Sequence, residues 1–244
     1  MATFLVAHGA WSAGWAWKKM RPLLRAKGHE LFTPTYTGIG ERVHLAHKDI
    51  NLDTHIADIL GVLEAEDLRK VILVGHSYGG MVATGVADRA PDRIAHLVYL
   101  DAFAPRDGQS LLDLQTEENR QRVRDDAKNN GDGWRISPNP APPDTPEADL
   151  SWVNAHRVKQ PLQTFEQKIK LTGAVDKLPR TYIYCKISRP GDVFRQFRDR
   201  ASSEKGWKVV DIDASHSPNV TAPEALCQIL DGIAAARAPQ VTSL

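Results

Sequence analysis

Apolar positions along this chain fall into short runs separated by amphipathic stretches. Residues 3–7 (TFLVA), 71–74 (VILV), 96–100 (HLVYL), 180–187 (RTYIYCKI) and 207–212 (WKVVDI) have strand length and are rich in β-branched and aromatic side chains. Residues 29–36 read as one more strand, second in order, stopped by Pro34 and by Gly38 and Gly40. Helical spacing occupies the intervals. Trp17, Met20, Leu23, Leu24 and Ala26 recur on one face of residues 14–27, and Gly28 suits the left-handed position just past the end. Pro22 inside that stretch predicts either a kink or the helix's true first turn. Further helices are predicted over residues 52–63, capped by Asn51 or Asp53, over 79–90, over 192–204 and over 223–236. Strands alternating with helices predict an α/β fold: a mostly parallel sheet of about six strands with helices on both faces, without internal repeats.

One stretch breaks the alternation. Residues 106–177 carry a charged run at 117–128, a proline-rich loop (Pro138, Pro140, Pro142, Pro143, Pro146) and short helical patches around Trp152 and Phe165, with no strand pattern. An insertion of helices and loops over one end of a sheet is a cap. The expected organisation is a core of residues 1–105 and 178–244 with a cap insertion at 106–177.

Composition changes this picture little. A chain of 244 residues with 42% hydrophobic and 25% charged content suits one soluble α/β domain. A net charge of +1 gives no reason to expect nucleic acid or an anionic membrane as partner. The amino terminus lacks a basic segment and a long apolar run, and Cys185 and Cys227 are too few for a disulfide framework, so a cytoplasmic protein with buried free thiols is expected.

The candidate chemistry begins where the strand at 71–74 runs into Gly75-His76-Ser77-Tyr78-Gly79-Gly80 and then a helix. A G-x-S-x-G between a buried strand and a helix is a nucleophile elbow: the sharp turn exposes the serine hydroxyl at the sheet edge, and the glycines avoid collisions with the neighbouring strand and helix. The helix N-terminus favours negative charge developing there. A serine hydroxyl is a poor nucleophile at neutral pH, so Ser77 needs a base and a group that orients the base. Catalytic groups on such sheets gather past the carboxyl ends of strands, which selects His216, in DIDASHSPNV, from nine histidines. His76 is expected to turn away from Ser77 and pack, and His8 to brace the loop after the first strand. His44, His47 and His55 with Asp53 lack zinc-type spacing and read as a solvated loop, so no metal is expected.

The segments FLVAHGAWSAGWAW, GHSYGG, LVYLDAFAP and the terminal SH resemble the α/β-hydrolase superfamily, and within it the plant methylesterases and hydroxynitrile lyases with their bacterial relatives. The resemblance covers nearly all of the chain and is weakest over residues 106–177. It implies an α/β-hydrolase fold, a cofactor-free carboxylesterase-type serine hydrolase, Ser77 as nucleophile, His216 as base, and an oxyanion hole from the backbone N–H groups of Ala10 and Tyr78. In the plant esterases the acid follows the strand that corresponds to 180–187. Here that position is Ser188, which cannot partner an imidazolium, so Asp101 at the end of the preceding strand is expected to orient His216, with Asp192 as the alternative and a turn or helix cap as the other use of Asp101.

The lyases carry a threonine in the oxyanion loop and a lysine directly after the catalytic histidine, and Gly9 and Ser217 stand there instead. Ester hydrolysis is therefore expected over cyanohydrin or other carbon–carbon cleavage, and a low-turnover receptor on the same fold is the reading of a different class. Trp11, Tyr78, Phe103, Trp134 and Trp152 are expected to line an apolar pocket between sheet and cap, with core packing as the other use of Trp134 and Trp152. The expected partner is a small-molecule ester, with no nucleic acid and no membrane, and a homodimer is left open.

Overall fold

A computed structural model describes residues 1–187 and 192–237. Strand β1 (Thr3–Ala7) leads through a tight helical turn at Gly14–Trp17 into helix α1 (Met20–Ala26), then β2 (Glu30–Phe32), α2 (Leu52–Ala65), β3 (Val71–His76), α3 (Gly79–Arg89) and β4 (Ile94–Leu100). The stretch expected as an insertion follows β4, and this inserted stretch holds α4 (Glu117–Asn130), β5 (Arg135–Ile136), α5 (Glu147–His156), β6 (Gln160–Pro161) and α6 (Gln163–Glu166). The alternation resumes with β7 (Arg180–Cys185), α7 (Arg195–Ser203), β8 (Trp207–Ile212), α8 (Pro218–Thr221) and α9 (Pro223–Ala235).

Among the described residues six strands form one sheet in the order β2-β1-β3-β4-β7-β8, and every pairing in it is parallel. Side chains alternate across it with the strand period of two. Leu5, Leu73, Leu97, Tyr99 and Tyr182 face one layer with α2, α3 and α7, whereas Phe4, Val6, Ile72, Val74, Val98 and Ile183 face the other with α1 and α9. Burying each such side chain contributes about 1.5–3 kcal/mol, which is why the strands read as continuous apolar runs.

Three details differ from the expectations. The second strand ends at Phe32 rather than residue 36, because the backbone beyond it bonds elsewhere: Tyr36 N–H donates to His8 Nε2, and Pro34 has no N–H to give. The helix expected over 14–27 is split, and Pro22 is the third residue of α1, in the first turn where its missing N–H costs nothing. The inserted stretch does contain strands, a two-residue antiparallel ladder pairing Arg135 with Pro161 and Ile136 with Gln160, too short to leave a periodic signal. Asn51, not Asp53, caps α2: its side chain accepts from Thr54 N–H while the Thr54 side chain accepts from Asn51 N–H. No described helix is long and apolar enough to cross a membrane.

Candidate active site

Just beyond the carboxyl ends of β1, β3 and β4, three residues adopt a left-handed backbone: Trp11 (φ 59°), Ser77 (φ 56°) and Asp101 (φ 41°). Such conformations cost non-glycine residues on the order of 1–3 kcal/mol and persist only where the surroundings over-determine them. Ser77 is held by its N–H on the Leu100 carbonyl at 3.2 Å and by its own carbonyl accepting from Gly80 and Phe103. The turn admits no side chain at residue 79, where a Cβ would lie 2.0 Å from the Ala7 carbonyl oxygen.

Asp101 is fixed by its N–H on the Ile183 carbonyl and by Cys185 N–H donating to its Oδ1. Its Oδ2 lies 2.8 Å from His216 Nδ1. A carboxylate only accepts, so Nδ1 carries the proton and the Nε2 lone pair faces Ser77 Oγ, 2.8 Å away. The His216 ring stacks on Phe194 with centroids 4.7 Å apart, and its carbonyl accepts from His76 Nε2 at 2.6 Å. Burial, reinforced by the neighbouring His216, lowers the pKa of His76 to about 3. A neutral His76 places no second cation beside an imidazolium formed on His216. On the other side of that loop, Ser215 donates both its N–H and its hydroxyl to the carboxylate of Asp144, which comes from the inserted stretch.

The second half of the site is made of amides. Neither Ala10 nor Tyr78 N–H donates to a protein acceptor among the described residues, and both residues line the same cavity as Ser77 and His216. His8 holds the peptide between Gly9 and Ala10. Its Nε2 accepts from Tyr36 N–H at 3.3 Å, so Nδ1 carries the hydrogen and donates to the Gly9 carbonyl at 2.8 Å. Burial lowers its pKa to about 3, which keeps that tautomer neutral. Behind Tyr78, His55 donates from Nε2 to the Thr37 carbonyl and accepts the Tyr78 hydroxyl at Nδ1. Burial lowers this histidine to about 3 as well.

The cavity encloses about 320 Å³ between sheet and insertion. Trp11, Phe103, Phe165 and Phe194 form apolar walls, and Asn119, Arg122 and Arg157 add polar groups. Trp134 and Trp152, expected as lining, are not part of it. The Trp152 ring meets Trp15 edge-on at 5.2 Å under the Lys18 ammonium, and its neighbour Val153 faces the cavity instead. Trp134 lies beneath the Arg135 guanidinium, and its carbonyl accepts from Leu162.

Residues 4–229 match the model of the alpha/beta hydrolase family. A carbendazim hydrolyzing esterase of Nocardioides sp. (strain SG-4G) is 41% identical over 239 residues, covering 94% of this chain and 98% of that one. The chain belongs to the alpha/beta hydrolase family. Salicylic acid-binding protein 2 of Nicotiana tabacum is 34% identical over 103 residues, 42% of this chain and 40% of its own. Among solved structures, an extracellular alpha/beta-hydrolase from a Paenibacillus species superposes with a TM-score of 0.82 over 94% of this chain and 98% of its own, at 24% identity, a likeness of fold. Methylesterase 2 of Arabidopsis thaliana is likewise 34% identical over 104 residues, 42% of this chain and 40% of its own, so the resemblance to plant methylesterases and their bacterial relatives stands, and with it the enzyme class, an esterase-type hydrolase.

Within this alpha/beta hydrolase the rival acid, Asp192, lines the cavity but is bonded to the Tyr184 hydroxyl and to Phe194 N–H, which seats the ring that stacks on His216. Ser188 lies outside the described residues. His55 does not belong to a solvated loop: it is fully buried on α2, while His44 and His47 are exposed. His76 packs as expected, yet it also grips the main chain of His216. Asp144, Gln160 and Phe194 escaped the reading of the sequence. None falls in a motif, and each acts through a contact made across 22 to 149 residues of chain.

Proposed function

We propose that the protein is a serine esterase that cleaves small carboxylic esters through an acyl-enzyme, with Ser77 as nucleophile, His216 as general base and acid, and Asp101 as the orienting carboxylate. The observation that carries this reading is the unbroken chain from Asp101 Oδ2 through His216 to Ser77 Oγ, with both links at 2.8 Å. Ser77 Oγ attacks the carbonyl carbon while Nε2 takes its proton, and the carbonyl electrons move onto oxygen. That oxyanion is received by the amides of Ala10 and Tyr78, each worth about 3 kcal/mol to a tetrahedral transition state. As the oxyanion collapses, the ester C–O bond breaks and His216 protonates the leaving alcohol. Water then gives its proton to His216 and attacks the acyl-Ser77 carbonyl, and the carboxylic acid departs as Ser77 regains its proton.

A cavity of about 320 Å³ suits a small ester. Carbendazim belongs in the substrate panel because the 41% identical relative is named for hydrolysing it. The residue after His216 is Ser217, where the cyanohydrin-cleaving lyases carry a lysine, and this favours ester hydrolysis over cyanohydrin cleavage. The test is a panel of p-nitrophenyl and alkyl esters run with a fluorophosphonate label on wild type and on Ser77→Ala. Turnover and labelling are expected in the wild type alone. Equal labelling of both proteins would overturn the nucleophile assignment.

A further inference from the structure

Trp11 directly follows Ala10, whose amide forms half of the proposed oxyanion hole, and its left-handed backbone is held almost entirely by the inserted stretch. Its N–H donates to Gln160 Oε1 at 3.2 Å, its carbonyl accepts from Val158 N–H at 3.3 Å, its indole N–H donates to the Ile136 carbonyl at 3.0 Å, and its ring packs edge-on to Phe165. Ile136 and Gln160 are paired partners in the β5–β6 ladder, so one small ladder grips both the main chain and the ring of Trp11.

Gln160 is 1% exposed, and its amide orientation is dictated by its neighbours. Thr164 spends its one hydroxyl hydrogen on the Pro161 carbonyl at 2.6 Å, so it accepts from Gln160 Nε2 at 2.8 Å. The carbonyl end of Gln160 therefore faces Trp11 N–H. The two peptide planes flanking Ala10 are thus pinned separately: Gly9–Ala10 by His8 Nδ1, and Ala10–Trp11 by Gln160 Oε1. Fixing both planes fixes the direction of the Ala10 amide.

We infer that Gln160 is a positioning residue for the oxyanion hole, holding Trp11 in its left-handed conformation so that Ala10 N–H points at the oxyanion. This rests on the serine-esterase reading above. It also makes the inserted stretch a structural part of transition-state stabilisation, beyond shaping the pocket.

The test uses Gln160→Met, which keeps length and volume but has no amide, and Gln160→Glu. Steady-state kinetics are measured together with inhibition by a trifluoromethyl ketone, which forms an oxyanion on Ser77, and by the product carboxylic acid, which does not. Gln160→Met is expected to lower kcat about 10- to 100-fold with KM changed less than about threefold, and to weaken the ketone by the same factor while the acid binds as before. Gln160→Glu reproduces both bonds only while its carboxyl is protonated, so its activity relative to wild type is expected to fall as pH rises. Unchanged kcat and ketone affinity in Gln160→Met, or equal weakening of ketone and acid, would overturn the inference. If Ser77→Ala bound the ketone as tightly as wild type, the failure would lie with the serine-esterase reading itself.

Discussion

Ser77 and Asp101 hang on main-chain bonds to neighbouring strands, Ser77 N–H on Leu100 and Asp101 N–H on Ile183, whereas the loops bearing Ala10 and His216 are tied, at Trp11 and Ser215, to groups of the inserted stretch, Gln160 and Asp144 among them. The sheet-borne pair is set by hydrogen bonds that any sequence folding this way must make. The loop-borne pair draws, besides His8 and His76 of the core, on Gln160 and Asp144, which belong to an excursion of the chain outside the sheet. On the proposed reading, rigid elements carry the nucleophile and the acid, and the insertion trims the aim of the base and of the oxyanion amide.

The largest effect is expected on the sheet-borne side. Asp101→Asn leaves the shape of the site but allows His216 the wrong tautomer, and kcat is expected to fall by about 10⁴-fold. Asp192→Asn, which disturbs the Tyr184 and Phe194 contacts, is expected to stay within about tenfold of wild type. Comparable losses in the two variants, measured on one ester, would erase the distinction between orienting acid and wall.

Stability against pH comes next. His8, His55 and His76 are held near a pKa of about 3 by burial, below the 6.5 of free imidazole. Unfolding lets each bind a proton, so their contribution is fully present above pH 6.5 and is lost as pH falls toward 3. Each histidine contributes a slope of at most about 1.4 kcal/mol per pH unit in that window. Urea midpoints are expected to drop steadily from about pH 6.5 to 4.5, above the range where most carboxylates titrate. A flat profile there would contradict the neutral, buried state of the three rings.

The smaller effect falls on the insertion. Asp144→Ala frees both Ser215 donors beside His216 and is expected to lower kcat about tenfold with KM little changed, whereas Asp144→Asn, which keeps one acceptor oxygen, is expected to lose less. A change in KM alone would assign Asp144 to the pocket wall instead of the base loop.

The contrast also marks what could be read before the structure. The succession of strands and helices along the chain, the elbow at Ser77 and the place of His216 past a strand end follow from periodicity and from turn residues that local backbone geometry demands. The position of Asp101 just past a strand end was legible because it is a property of the sheet. The β5–β6 ladder was not, since two-residue strands have no period, and Gln160 was not, since its partner Trp11 lies 149 residues away. The choice between pocket and core for Trp152 was not legible for a related reason: on a helix with little amphipathic pattern, aromatic character does not say which face meets the cavity, and Val153 takes that place.

Intact-protein mass spectrometry during turnover of a slow ester tests the central claim most directly. A single acyl adduct is expected on Ser77, forming and decaying at rates consistent with kcat, and absent from Ser77→Ala. Undiminished hydrolysis by Ser77→Ala, or an adduct on any other residue that forms and decays in step with turnover, would contradict the account.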